Sequence, residues 1–146
     1  MATTKIHFFA EEIEFTLPQK QKHREWLLNL AKEEGFQVRE LNYIFCDDEY
    51  LHKINVEYLD HDTLTDIITF DNSEVKGKIE GDIFISVDRV KENAGLFQGT
   101  FENEMRRILA HGLLHLCGYK DKSEQEEQLM RQKESHYIEK ISTWNT

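Results

Sequence analysis

The segment FENEMRRILAHGLLHLC, residues 101–117, is the longest helical apolar pattern in the chain, and Gly118 closes it. Two histidines interrupt it, His111 and His115, four residues apart. In so apolar a helix an unpaired imidazole carries a desolvation cost unless it is hydrogen-bonded or ligated. The segment therefore constrains the chain twice, as the helix other elements must be fitted around and as a site whose histidines need partners.

The remaining elements follow from spacing. KIHFFAEEIEF reads as a strand and a tight hairpin. LPQKQKHREWLLNLAKEEG reads as a helix, with Pro18 in its first turn, Trp26, Leu27, Leu30 and Ala31 on one face, and Gly35 ending it. LNYIFC is a second strand, and DDEYLHKINVEY a helix with two aspartates at its amino end. DIITF and DIFISV are short β-branched runs expected to pair as strands. A short helix runs from Val87 to Leu96. The last helix, SEQEEQLMRQKESHYIEKIS, has Ser123 and Glu126 at capping-box spacing and a docking stripe of Leu129, Met130, Tyr137, Ile138 and Ile141. Strands adjacent in sequence exclude a strict βαβ series, so the expected class is α+β: a small mixed β-sheet of about four strands packed by about five helices. With 146 residues, one proline, seven glycines and no linker or repeat, a single domain over 1–146 is expected.

Successive helical residues rotate by about 100°, so His111 and His115 lie within about 40° of each other, Cβ atoms about 5–6 Å apart. Gly118 can take the left-handed conformation that folds the chain back, which brings Asp121, three residues on, toward the pair. H-x-x-x-H-x-x-G-x-x-D has the ligand spacing of a zincin-type metalloproteinase site, with a carboxylate in the third place. Two imidazoles and a carboxylate suit zinc or another divalent transition metal and leave a position open for water. Gly112, however, stands where a zinc protease carries its glutamate. Cys117 points away from the pair and is expected to pack. Glu104 shares the histidine face but lies about 10 Å along the axis; a solvated carboxylate is its expected role, with facing the substrate as the alternative.

Eighteen Lys and Arg against 28 Asp and Glu give a formal net charge of −10, which repels polyphosphate unless a local basic patch or a metal ion supplies attraction. Arg106, Arg107, Lys120 and Lys122 are the candidates for such a patch. The amino terminus lacks an apolar core of signal-peptide length, and no apolar run reaches the roughly 18 residues needed to cross a bilayer. The expected setting is cytoplasmic and reducing, with no membrane or DNA partner and with Cys46 and Cys117 unpaired.

Three motifs carry a family resemblance. HGLLHLCGY at 111–119 closely resembles the HGxLHLxGY motif of the YbeY family, TDIITF at 65–70 its TDVLSF, and GDIFIS at 81–86 its GDIVIS, in the same order. The resemblance implies a small α+β fold with a zinc-type site on the long helix. It also implies metal-dependent endoribonuclease cleavage of single-stranded RNA, in maturation of small-subunit (16S) rRNA at its 3′ end and in ribosome quality control, with ribosome components as partners. The sequence departs from the family pattern at three places. Asp121 replaces the usual third histidine, Leu59 replaces an arginine thought to face RNA, and Leu64 replaces a proline. His61, two residues after Leu59, is expected to be an exposed loop histidine, with partial substitution for that arginine as the alternative.

The chemistry expected is hydrolysis by a metal-bound water, with Asp66 or another strand-end carboxylate assisting as base, since phosphodiester cleavage can rely on the ion where a peptidase needs its glutamate. Two other classes remain open: a non-catalytic ribosome-associated factor with a structural metal, and a metallopeptidase.

Overall fold

A computed structural model describes residues 5–59 and 65–143. Its elements in chain order are β1 (Ile6–Ala10), α1 (Lys20–Glu33), β2 (Gln37–Cys46), α2 (Asp48–Leu59), β3 (Ile67–Asp71), β4 (Lys78–Ser86), α3 (Val87–Leu96), α4 (Phe101–Leu116) and α5 (Glu124–Ser142). The four strands form one sheet in the order β1-β2-β4-β3. β1 and β4 both run parallel to β2, while β3 runs antiparallel to β4. The sheet is mixed, as the α+β reading requires.

Strand periodicity divides the core between the two faces of this sheet. On one face Val38, Leu41, Tyr43 and Phe45 of β2 join Ile79, Ile83 and Ile85 of β4 beneath α1, α4 and α5. On the other, Phe84, Ile68 and Phe70 meet Leu51 and Ile54 of α2. α4 lies in the larger layer, where Leu109, Ala110, Leu113 and Leu114 are completely buried. Gly112 lets it settle close to the sheet. A Cβ at that position would meet Ile67 Cδ1 and Ile83 Cδ1, each at 3.0 Å. Polar ties fix the register of the layers: Tyr43 Oη donates to the Leu109 carbonyl at 2.9 Å, and Trp26 Nε1 to the Tyr137 carbonyl at 2.8 Å.

Three local expectations need correction. KIHFFAEEIEF forms no hairpin, because the strand ends at Ala10, Glu12 takes a left-handed φ of 60°, and the partner of β1 is β2, beyond α1. Ile13 and Phe15 still pack on the core, as loop residues. Pro18 lies ahead of α1, whose N-cap is Gln19. Leu129 is 44% exposed, so the docking stripe of α5 is Met130, Glu134, Tyr137, Ile138 and Ile141. The capping box at Ser123 and Glu126 forms as expected, with both reciprocal hydrogen bonds present.

Candidate metal centre

The carboxyl end of α4 builds the centre. Gly118, at φ 103°, donates to the His115 carbonyl, and Tyr119 N–H reaches back to the Leu114 carbonyl at 3.1 Å. This is a Schellman ending, in which only a residue free to be left-handed fits at position 118. It turns the chain so that Tyr119 and Asp121 come back over the histidines.

His111 Nε2 and His115 Nε2 stand 3.0 Å apart, and Asp121 Oδ2 lies 3.2 Å from the first and 3.4 Å from the second. The outer nitrogens determine what these inner atoms can be. His115 Nδ1 is 2.9 Å from the Tyr119 carbonyl, which can only accept, so Nδ1 carries the proton and donates it. His111 Nδ1 donates likewise to Glu134 Oε2 at 2.5 Å. With both Nδ1 positions so used, the neutral rings aim two imidazole lone pairs at the point a carboxylate oxygen also reaches. That set fits a divalent cation, and a tetrahedral zinc with Zn–N bonds of about 2.0–2.1 Å would hold two nitrogens about 3.3 Å apart. The Nδ1 partners are the kind that orient and strengthen imidazole ligands.

Glu134 comes from α5 and is 4% exposed. Besides His111 it binds Arg107, whose guanidinium lies 3.0 Å from Oε1, so its buried charge is paired twice. Burial disfavours a charged His111 ring, but the Glu134 hydrogen bond and charge, with Asp121 and Asp66 adding to them, leave its pKa raised. Tyr119 is held in turn from α1: its hydroxyl donates to Glu34 Oε1 at 2.6 Å, while Tyr137 and Lys133 also donate to this carboxylate. Burial alone would raise the Glu34 pKa, and these donors hold it below the usual value.

A cleft of about 400 Å³ opens beside His111 and Asp121, lined also by Asp66, Glu104, Glu127 and Glu134, by Arg107 and Arg131, and by Asn93, Phe97, Ile108 and Met130. Asp66, just ahead of β3, is pushed above the ordinary aspartate range by burial, against the lowering pull of His111. Glu104 is half-buried in this wall and its pKa is raised by burial, so the expectation of a solvated carboxylate is corrected. Three of the four expected cations fall outside the cleft. Arg106 is 7% exposed and turns about 140° away from His111. There it donates to His23 Nε2 at 3.2 Å and pairs with Glu102 at 2.7 Å, so it offers no surface charge. Lys120 and Lys122 are exposed beside Asp121. Leu59 ends α2 without lining the cleft, and His61 and Leu64 lie outside the described residues. Cys117 packs against the core with its thiol pushed up to about 12 by burial, as expected of a packing residue.

Sequence reasoning missed Glu134 and Arg131. Glu134 had a readable signal, since it falls four residues after Met130 within an apolar stripe. Gly112 also answers its own oddity: its Cβ direction faces Ile67 and Ile83, so a glutamate side chain has no room there.

A family model described as Endoribonuclease YbeY matches residues 5–142. Among relatives named Endoribonuclease YbeY, one from Cytophaga hutchinsonii is 59% identical over 134 residues, covering 92% of this chain and 94% of the relative. One from Flavobacterium johnsoniae is 57% identical over 130 residues, covering 89% and 93%. The solution structure of TM1509 from Thermotoga maritima superposes with a TM-score of 0.63 at 27% identity, covering 93% of this chain and 88% of that one.

Proposed function

The chain belongs to the YbeY endoribonuclease family, and on that premise we propose that it hydrolyses single-stranded RNA at a one-ion centre formed by His111, His115 and Asp121. The observation that carries this reading is the convergence of three acceptor atoms, each ring turned by a donor contact on its far side, at the end of a cleft. When bound there, a zinc or similar divalent ion supplies Lewis acidity toward a phosphoryl oxygen and toward water. Glu134 and the Tyr119 carbonyl keep the two imidazoles in the ligating tautomer. Asp66 faces the centre with a carboxylate whose raised pKa suits accepting a proton from the attacking water. Arg107, on the same wall, orients Glu134 and presents a guanidinium edge to the phosphate. The glycine at 112 supports a nuclease over a peptidase, because the protease glutamate is missing there and the Cβ direction points at Ile67 and Ile83 of the sheet, 3.0 Å away.

On this reading the substrate is small-subunit rRNA near its 3′ end, met in the cytoplasm with ribosome components as partners and with a further role in ribosome quality control. Among the described residues no helix is long and apolar enough to cross a membrane. The test is cleavage of a single-stranded rRNA fragment and of its duplex by protein stripped with chelator and then reloaded with zinc. Cutting of the single strand that disappears on stripping and returns on reloading is expected. Equal cutting by the stripped protein would contradict the reading.

A further inference from the structure

Phe97 is the residue of this cleft that the metal centre leaves unexplained. It follows α3 directly as its C-cap and is 64% exposed, next to Leu96 at 68%. Its placement is built: Phe97 N–H donates to the Asn93 carbonyl at 3.0 Å, Gln98 takes a left-handed φ of 55°, and Gly99 N–H closes onto the Ala94 carbonyl at 2.9 Å. That turn holds the phenyl ring on the wall of the cleft that also carries His111. From α5, the Arg131 guanidinium lies over the ring, 5.9 Å from its centroid. Among the described residues no carboxylate pairs with Arg131 at ion-pair distance, although Arg107 and Arg106 on α4 are both so paired.

The remaining wall makes this pair informative. Asp66, Glu104, Glu127 and Glu134 face the same cleft, so phosphate contacts alone give poor purchase on a nucleic acid here. An exposed ring backed by a guanidinium offers the other contribution available to a single strand, base stacking, which the charge of the walls does not oppose.

We propose that Phe97 and Arg131 form a seat for one unpaired nucleobase of the RNA, the base stacking on the open face of the phenyl ring and Arg131 meeting the adjoining phosphate; this rests on the ribonuclease reading of the neighbouring centre. Every base has a π-face, so the seat is tolerant of sequence. It favours single strands because the faces of a base in a duplex are already covered by its neighbours.

The test uses zinc-loaded wild type, Phe97→Ala and Phe97→Trp with a short labelled oligouridylate, and with the same strand carrying an abasic nucleotide at each position in turn. Binding is read by fluorescence anisotropy, cleavage by gel and folding by thermal melting. Phe97→Ala should melt like the wild type, since its side chain is exposed, yet bind the intact strand roughly tenfold more weakly. Phe97→Trp should retain wild-type affinity. At one abasic position the difference between wild type and Phe97→Ala should vanish, because ring and base are then each missing their partner. Unchanged affinity of Phe97→Ala overturns the seat while leaving the nuclease standing if the wild type still cuts. The seat is overturned in the same way if that variant alters only self-association in sedimentation. A wild type that neither binds nor cuts overturns the seat and the proposed function together.

Discussion

Glu134 carries a charge into the interior because two partners meet it there, the His111 ring and the Arg107 guanidinium. On the proposed reading it orients the His111 ring, so Glu134→Gln should keep the fold but lower metal affinity about 10- to 100-fold, measured by competition with a chelating dye. A side chain at Gly112 acts differently, since it pushes on the sheet. Gly112→Ala should cost about 1 kcal/mol of stability in urea denaturation, its contacts with Ile67 and Ile83 at 3.0 Å outweighing the helical preference for alanine. Asp66→Asn keeps the shape of the wall and removes the proton acceptor; an RNA cleavage rate unchanged by it would exclude Asp66 as base. The ligand spacing was legible because helical geometry alone places His111 beside His115, and a left-handed glycine returns the chain toward them. The burial of Glu134 was readable from its place in the α5 stripe, but its pairing with His111, like that of the Tyr119 carbonyl with His115, was not, because both depend on how α5 and the loop after α4 dock.

Among elements, the helices were read best. α3 and α4 begin and end where their caps and apolar spacing indicate, and α5 opens on its capping box. Ser123→Ala should therefore lower stability by about 1 kcal/mol. The false hairpin has a physical reason: IHFFA is as good a parallel strand as an antiparallel one, and its partner in β2 is recognisable only once α1 has crossed over. The α1–α4 contact contains a pH-sensitive element. His23 Nδ1 donates to the Pro18 and Gln19 carbonyls and Nε2 accepts from Arg106, an arrangement with no place for a second ring proton. Burial, then the charge of Arg106, hold the His23 pKa below its ordinary value, partly offset by those carbonyls and by Glu102. The folded state thus binds that proton less readily than the unfolded chain. Stability should be full above about pH 6.5 and decline as pH falls through the lower folded value. Urea midpoints across this range should show the decline, and they should lose that part of it in His23→Gln.

At the scale of the whole molecule, the charge of −10 and the carboxylates of the cleft set a condition on RNA binding. On the proposed reading an ion at the centre offsets part of that charge, which stripped protein leaves to Arg107 and Arg131 alone. Protein reloaded with zinc should bind a single strand much more tightly than stripped protein, with a modest salt slope reflecting few phosphate contacts. The acidic total was legible in the sequence, but the distribution of cations was not. Arg106 and Arg107 are neighbours in sequence but face different helices, α1 and α5, and Arg131 reaches the cleft only through the docking of α5. On the proposed reading two histidines and Asp121 hold one catalytic ion. Elemental analysis of wild type and Asp121→Ala, with the same samples assayed on a single-stranded rRNA fragment, tests it most directly. About one zinc per chain in the wild type, lost together with cleavage in the variant, is the predicted result; zinc and cleavage both retained by Asp121→Ala would contradict it.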